Sequence, residues 1–108
     1  MTTDSQRQII AARLTGLYGE GFTVDTYKDE VTVSYPITEN GRTRYVSGVA
    51  YRDLDGRKRV TEKDCQIIAG QINGKIMSGS RDPRFTDQAR NDYKMVLDKL
   101  PRLRVFYT

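Results

Sequence analysis

Hydrophobic and polar residues alternate with two different periods along this chain, and the changes of period mark its elements. From about Ser5 to Tyr18 the apolar residues Ile10, Leu14, Leu17 and Tyr18 recur at helical spacing, with Ile9 at the edge of the stripe. Ser5 and Gln8 have capping-box spacing, Asp4 competes as a cap, and Gly16 and Gly19 offer stop signals. The period then drops to two. Phe22, Val24 and Thr26 alternate with polar neighbours, Lys28-Asp29-Glu30 reads as a turn, and Val31, Val33, Tyr35 and Ile37 alternate with Thr32, Ser34, Pro36 and Thr38.

Asn40-Gly41 is the strongest hairpin signal, because both positions of a two-residue loop need positive φ. That loop sets a register. Glu39 faces Arg42, Ile37 faces Arg44, Tyr35 faces Val46, Val33 faces Gly48 and Val31 faces Ala50. This is an apolar side, with two small residues that let a helix sit close. The other side pairs Pro36 with Tyr45, Ser34 with Ser47, Thr32 with Val49 and Glu30 with Tyr51. Pro36 cannot donate a ladder bond and is expected at a non-bonded site or an edge. Gly48 can instead host a bulge, which would turn Val49 and Tyr51 inward.

Asp55-Gly56 marks a second tight turn, followed by a short strand, Arg57 to Val60, that is optional in this reading. Thr61 and Asp64 cap a second helix reaching about Asn73, where Asn73-Gly74 stops it, with Cys65, Ile68, Ala69 and Ile72 as its buried stripe. Ser78 to Pro83 is a loop. A third helix starts near Thr86 and ends before Pro101, with Ala89, Tyr93, Val96, Leu97 and Leu100 inward. Leu103, Val105 and Tyr107 alternate with Arg102, Arg104 and Phe106 as a last strand. The expected fold is therefore α+β. It is a two-layer sandwich with an antiparallel sheet of about four or five strands, helices on one face, and the order α-β-β-β-(β)-α-α-β.

The αβββα stretch resembles a double-stranded-RNA-binding domain in topology. That family places basic residues at the start of its second helix. The corresponding Arg57-Lys58-Arg59-Val60-Thr61-Glu62-Lys63 departs from the family's lysine pattern, with Glu62 and Asp64 standing among the cations.

Length and composition bound the rest. A chain of 108 residues is one domain, 1–108, and long enough to bury a core without metal or disulfide. The longest apolar runs are a few residues, so no membrane span is expected. The first six residues show neither a basic start nor an apolar run, so no signal peptide is expected. The lone Cys65 fits a reducing, cytoplasmic setting. Histidine is absent, which removes histidine bases, histidine triads and histidine-bound zinc. There is no glycine-rich phosphate loop, and Asp53-Leu54-Asp55-Gly56 reads as a turn better than as a calcium loop. Asp25, Asp29 and Glu30 are neighbouring acids that suit solvent better than a metal. No acid stands in an apolar context that would tune its pKa. These absences lead to the expectation of a non-enzymatic protein with no catalytic residues, cofactor or metal.

The net charge is +4 and uneven. Residues 1–41 hold three Lys/Arg against six acids, and residues 42–108 hold fifteen against eight. Arg42, Arg44, Arg52, Arg57, Lys58 and Arg59 cluster around the second turn, with Lys63 at the start of the second helix. Together with Tyr45 and Tyr51 on the outward side, these residues predict a nucleic-acid-binding surface for RNA or single-stranded DNA. The cations would meet phosphate and the tyrosines would stack on bases. The alternative is a protein-binding module or small inhibitor, acting through the tyrosine-bearing sheet face or the C-terminal strand. That strand, as an edge, can also pair two copies into a homodimer.

Overall fold

A computed structural model describes residues 4–27, 30–51 and 60–102. Six elements follow one another. They are α1 (Asp4–Tyr18), β1 (Thr23–Tyr27), β2 (Glu30–Glu39), β3 (Arg42–Tyr51), α2 (Glu62–Gly79) and α3 (Asp87–Leu97). The strands form one antiparallel sheet in the order β1-β2-β3.

The hairpin follows from its turn. Asn40 and Gly41 have φ of 53° and 77°, which the two-residue loop requires. The ladder runs without interruption from Glu39 opposite Arg42 to Glu30 opposite Tyr51. Gly48 therefore hosts no bulge, and Val49 and Tyr51 stay on the outer side. Counting outward from the closing pair, Pro36 falls at a non-bonded position toward β3. On its other side β1 has already ended, since β1 begins with Thr23 opposite Ser34. Pro36 thus stands where, among the described residues, no strand asks for its missing N–H.

The inner side of the sheet carries Val31, Val33, Ile37, Val46 and Ala50, all buried against the helices. Gly48 supplies the close approach. A Cβ there would lie 2.7 Å from the Ile72 carbonyl oxygen and 2.9 Å from the Ile76 side chain. The helices contribute Ile10, Leu14 and Tyr18 from α1, Ile68, Ala69, Ile72 and Ile76 from α2, and Val96 from α3.

Three sequence expectations need correction. The helix α2 does not stop at Asn73 but continues to Gly79. Gly74 lies over open space, so it costs helix propensity without forcing an end. Ile76, fully buried, extends the stripe by a further turn. Asn73 serves as a joint: the Tyr18 hydroxyl donates to its Oδ1 at 2.6 Å, and its Nδ2 donates to the Pro101 carbonyl at 3.5 Å. In α1 the buried stripe is Gln6, Ile10, Leu14 and Tyr18, whereas Leu17 is partly exposed. Among the described residues the sheet has three strands. The expected strand at Arg57–Val60 falls on residues that, Val60 apart, lie outside the described set. Leu103, Val105 and Tyr107 of the expected last strand lie outside it altogether. Val60 itself is buried and is not part of a strand.

Candidate binding face

Because all three helices pack on the inner side, the register dictates what the outer side presents. Across the three strands, Tyr27, Glu30 and Tyr51 form one row. Asp25, Thr32 and Val49 form the next, and Thr23, Ser34 and Ser47 the third. Beyond the end of β1, Pro36 sits beside Tyr45 and Thr38 beside Thr43. Tyr27, Tyr45 and Tyr51 are each about two-thirds exposed (69%, 67% and 69%). Hydroxyls link the strands between them: Ser34 to Ser47 at 2.9 Å and Thr38 to Thr43 at 3.3 Å. The Thr32 hydroxyl donates to Glu30 Oε1 at 3.3 Å. Among the described residues this face holds two carboxylates, Asp25 and Glu30, and no lysine or arginine. Tyr45 and Tyr51 thus stand where the sequence places them. Tyr27 joins them by the alternation of β1: Val24 pairs with the buried Val33, so Tyr27, three residues on, points outward.

The predicted cations fare differently. Arg44 is on the inner side and is clamped. Its Nε donates to Asp92 Oδ2 at 2.8 Å and its Nη2 to Asp92 Oδ1 at 3.1 Å, while Nη2 also reaches Glu39 at 2.9 Å. Gln88 Nε2 completes the shell on Asp92 at 3.0 Å. The hydrogen bonds from Arg44, more than any other contact, hold the Asp92 carboxyl below the usual carboxylate range, and the same bonds raise the guanidinium. Arg44, expected among the phosphate-binding cations, is thus engaged by carboxylates of its own chain. Contrary to the expectation that no acid has a tuned pKa, Asp92 is buried, only 5% exposed, beside that guanidinium.

Arg42 is exposed at the hairpin tip opposite Glu39. Lys63 is exposed in the first turn of α2, between Glu62 and Asp64. The amides at that helix start are taken by a capping box. The Asp64 N–H donates to the Thr61 hydroxyl at 3.2 Å, and the Thr61 N–H donates to the Asp64 carboxylate at 3.0 Å. The dipole there meets two built-in carboxylates before any external anion. Arg52, Arg57, Lys58 and Arg59 lie outside the described residues.

Other chemistry is sparse. Cys65 is buried beside a cleft of about 430 Å³ lined also by Arg13, Leu17, Glu62 and Gln66. Burial pushes its thiol pKa up, as expected of a structural cysteine rather than a nucleophile. Among the described residues no three His, Cys, Asp or Glu side chains stand close enough to hold a metal ion, and no helix is long and apolar enough to cross a membrane. Compared with models of known protein families, with curated proteins and with solved structures, the chain matches none.

Proposed function

We propose that this is a non-enzymatic binding domain that recognises a protein partner through the uncovered face of its sheet. The observation that carries the reading is the composition of that face. Three tyrosines at two-thirds exposure are set among serine and threonine hydroxyls, with the helices α1, α2 and α3 on the opposite side. Tyrosine supplies large contact area with few rotatable bonds, and serine and threonine supply adaptable hydrogen bonds. Protein-recognition surfaces favour this combination. The charges argue in the same direction. The face carries Asp25 and Glu30, Arg44 is neutralised by Asp92 and Glu39, and the start of α2 is capped by its own acid. A phosphate backbone laid across the tyrosines would meet carboxylates first. The free Cys65 suits a reducing, cytoplasmic setting.

Nucleic-acid binding remains the second reading. It is favoured by the +4 net charge and by Arg52, Arg57, Lys58 and Arg59, which follow Tyr51 in sequence. The two readings part in one experiment. Wild type and a Tyr45→Ser/Tyr51→Ser double variant are immobilised and exposed to lysate with nuclease at high salt, then to a labelled oligonucleotide from low to high salt. Protein binding predicts a partner that survives nuclease and salt on the wild type and is lost on the double variant. Oligonucleotide binding that falls steeply with salt and depends on the tyrosines replaces it with the nucleic-acid reading.

A further inference from the structure

The row at one end of the outer face has a chemistry of its own. Tyr27, Glu30 and Tyr51 are directly opposite one another on three adjacent strands. Neighbouring strands lie about 4.8 Å apart, so two tyrosine rings rise roughly 10 Å from each other with a carboxylate between them. The Thr32 hydroxyl donates to Glu30 Oε1, which leans that carboxylate along the strand toward the row that holds Asp25. Asp25 and Tyr27 project from the same side of β1, two residues apart. Two carboxylates therefore share a small area of exposed surface edged by aromatic faces, and no lysine or arginine projects from this side among the described residues.

A planar or compact cation suits such a place. Its charge is attracted by the carboxylates, and its stem and head pack against the electron-rich face of the Tyr51 ring. We propose that this row seats an arginine or lysine side chain of the protein partner, with Glu30 as the counter-charge, Tyr51 as the stacking wall and Asp25 as the outer carboxylate. The inference rests on the reading of the open face as the binding surface and adds the charge of what that surface selects.

The test uses full-length, isotopically labelled protein and follows its amide resonances. It is titrated with an arginine–glycine repeat peptide, glutamate–glycine and serine–glycine peptides of equal length, and an oligothymidylate. The arginine peptide is expected to move the amides of Glu30, Thr32 and Tyr51, and the glutamate peptide to leave them still. Glu30→Gln and Tyr51→Leu are each expected to weaken the arginine peptide about fivefold, with the urea midpoint unchanged. Lys75→Ala, at an exposed position of α2 away from this face, is expected to have no effect.

An equal response to the serine peptide, or undiminished binding by Glu30→Gln, overturns the cation seat and leaves the open face standing. If oligothymidylate moves these amides in preference to the arginine peptide, both the seat and the protein reading give way to nucleic acid. If every probe leaves the outer face unmoved, the open-face reading itself falls.

Discussion

The two sides of the β2–β3 hairpin are written by alternate residues of the same two strands, and they are under different constraints. The inner side is fixed by shape. Gly48 admits the backbone of α2, Val33 and Ala50 fill the space beside it, and Arg44 is held by a buried carboxylate on α3. The outer side is fixed by little beyond strand propensity, since Thr32, Ser34, Ser47 and Val49 are only half-buried and Tyr45 and Tyr51 mostly free. Where packing does not dictate a residue, large aromatic side chains exposed to water call for another explanation. That contrast, more than any motif, points to the outer side as the working one.

The contrast can be broken by mutation. The largest effect is expected from Ile72→Ala beneath the inner side, about 2–5 kcal/mol of stability from lost burial and the cavity left behind, read from urea denaturation at unchanged slope. Gly48→Val comes next, at about 1–3 kcal/mol or more, because the new side chain meets backbone rather than a movable tip. Thr32→Ala, on the other side of the same sheet, should stay within about 0.5 kcal/mol. Comparable losses on both sides would remove the distinction.

Smaller effects sharpen it. Tyr18→Phe takes a donor from Asn73 and from the Ala69 carbonyl, and is expected to cost about 1–2 kcal/mol. Burial raises the pKa of that hydroxyl, so it stays a donor well into alkaline solution and the cost should persist there. Asp92→Asn tests the clamp through pH. The carboxyl is held below its ordinary range, so the pair contributes fully above the unfolded value of about 3.9 and is lost as pH falls through the lowered folded value. The wild type should therefore exceed Asp92→Asn in stability at neutral pH, with the gap closing below about pH 4. Thermal melts across that range measure it, and a gap independent of pH would mean that Asp92 acts by shape alone. Tyr45→Ser and Tyr51→Ser should shift stability least, within about 0.5 kcal/mol, while removing binding.

Much of this is legible in the sequence. The hairpin register follows from two facts in the sequence: Asn40-Gly41 fixes the loop length, and the alternation of Val31, Val33, Tyr35 and Ile37 fixes which side is buried. Gly48 and Ala50 were readable as the places where a helix comes close. The end of α2 is not legible, because Asn73-Gly74 is a strong local stop signal, whereas the contacts that carry the helix past it, Ile76 on β3 and Gly79 against the Tyr93 ring, are tertiary. The Arg44–Asp92 pair is hidden for a related reason, its partners being 48 residues apart. A signal did exist: Asp92 lies on the same stripe as Ala89 and Val96, and an acid there requires a cation across the interface. Tyr27 was available from strand parity alone.

The hairpin also reaches past the end of β1, and that overhang bears on how copies of the chain meet. A bare strand margin ordinarily invites another chain to hydrogen-bond along it. Here the margin of β2 beyond β1 begins with Pro36, which offers a carbonyl but no amide hydrogen, while Gly21, at φ 88°, packs closely against the Tyr35 ring. On the far margin of β3, the Tyr93 hydroxyl already occupies the Ser47 carbonyl at 3.4 Å. Among the described residues, a strand laid along the β2 overhang or past Ser47 of β3 would find its ladder interrupted at those points. The tyrosine surface can thus be left open to a chosen visitor while these two stretches of margin resist accretion.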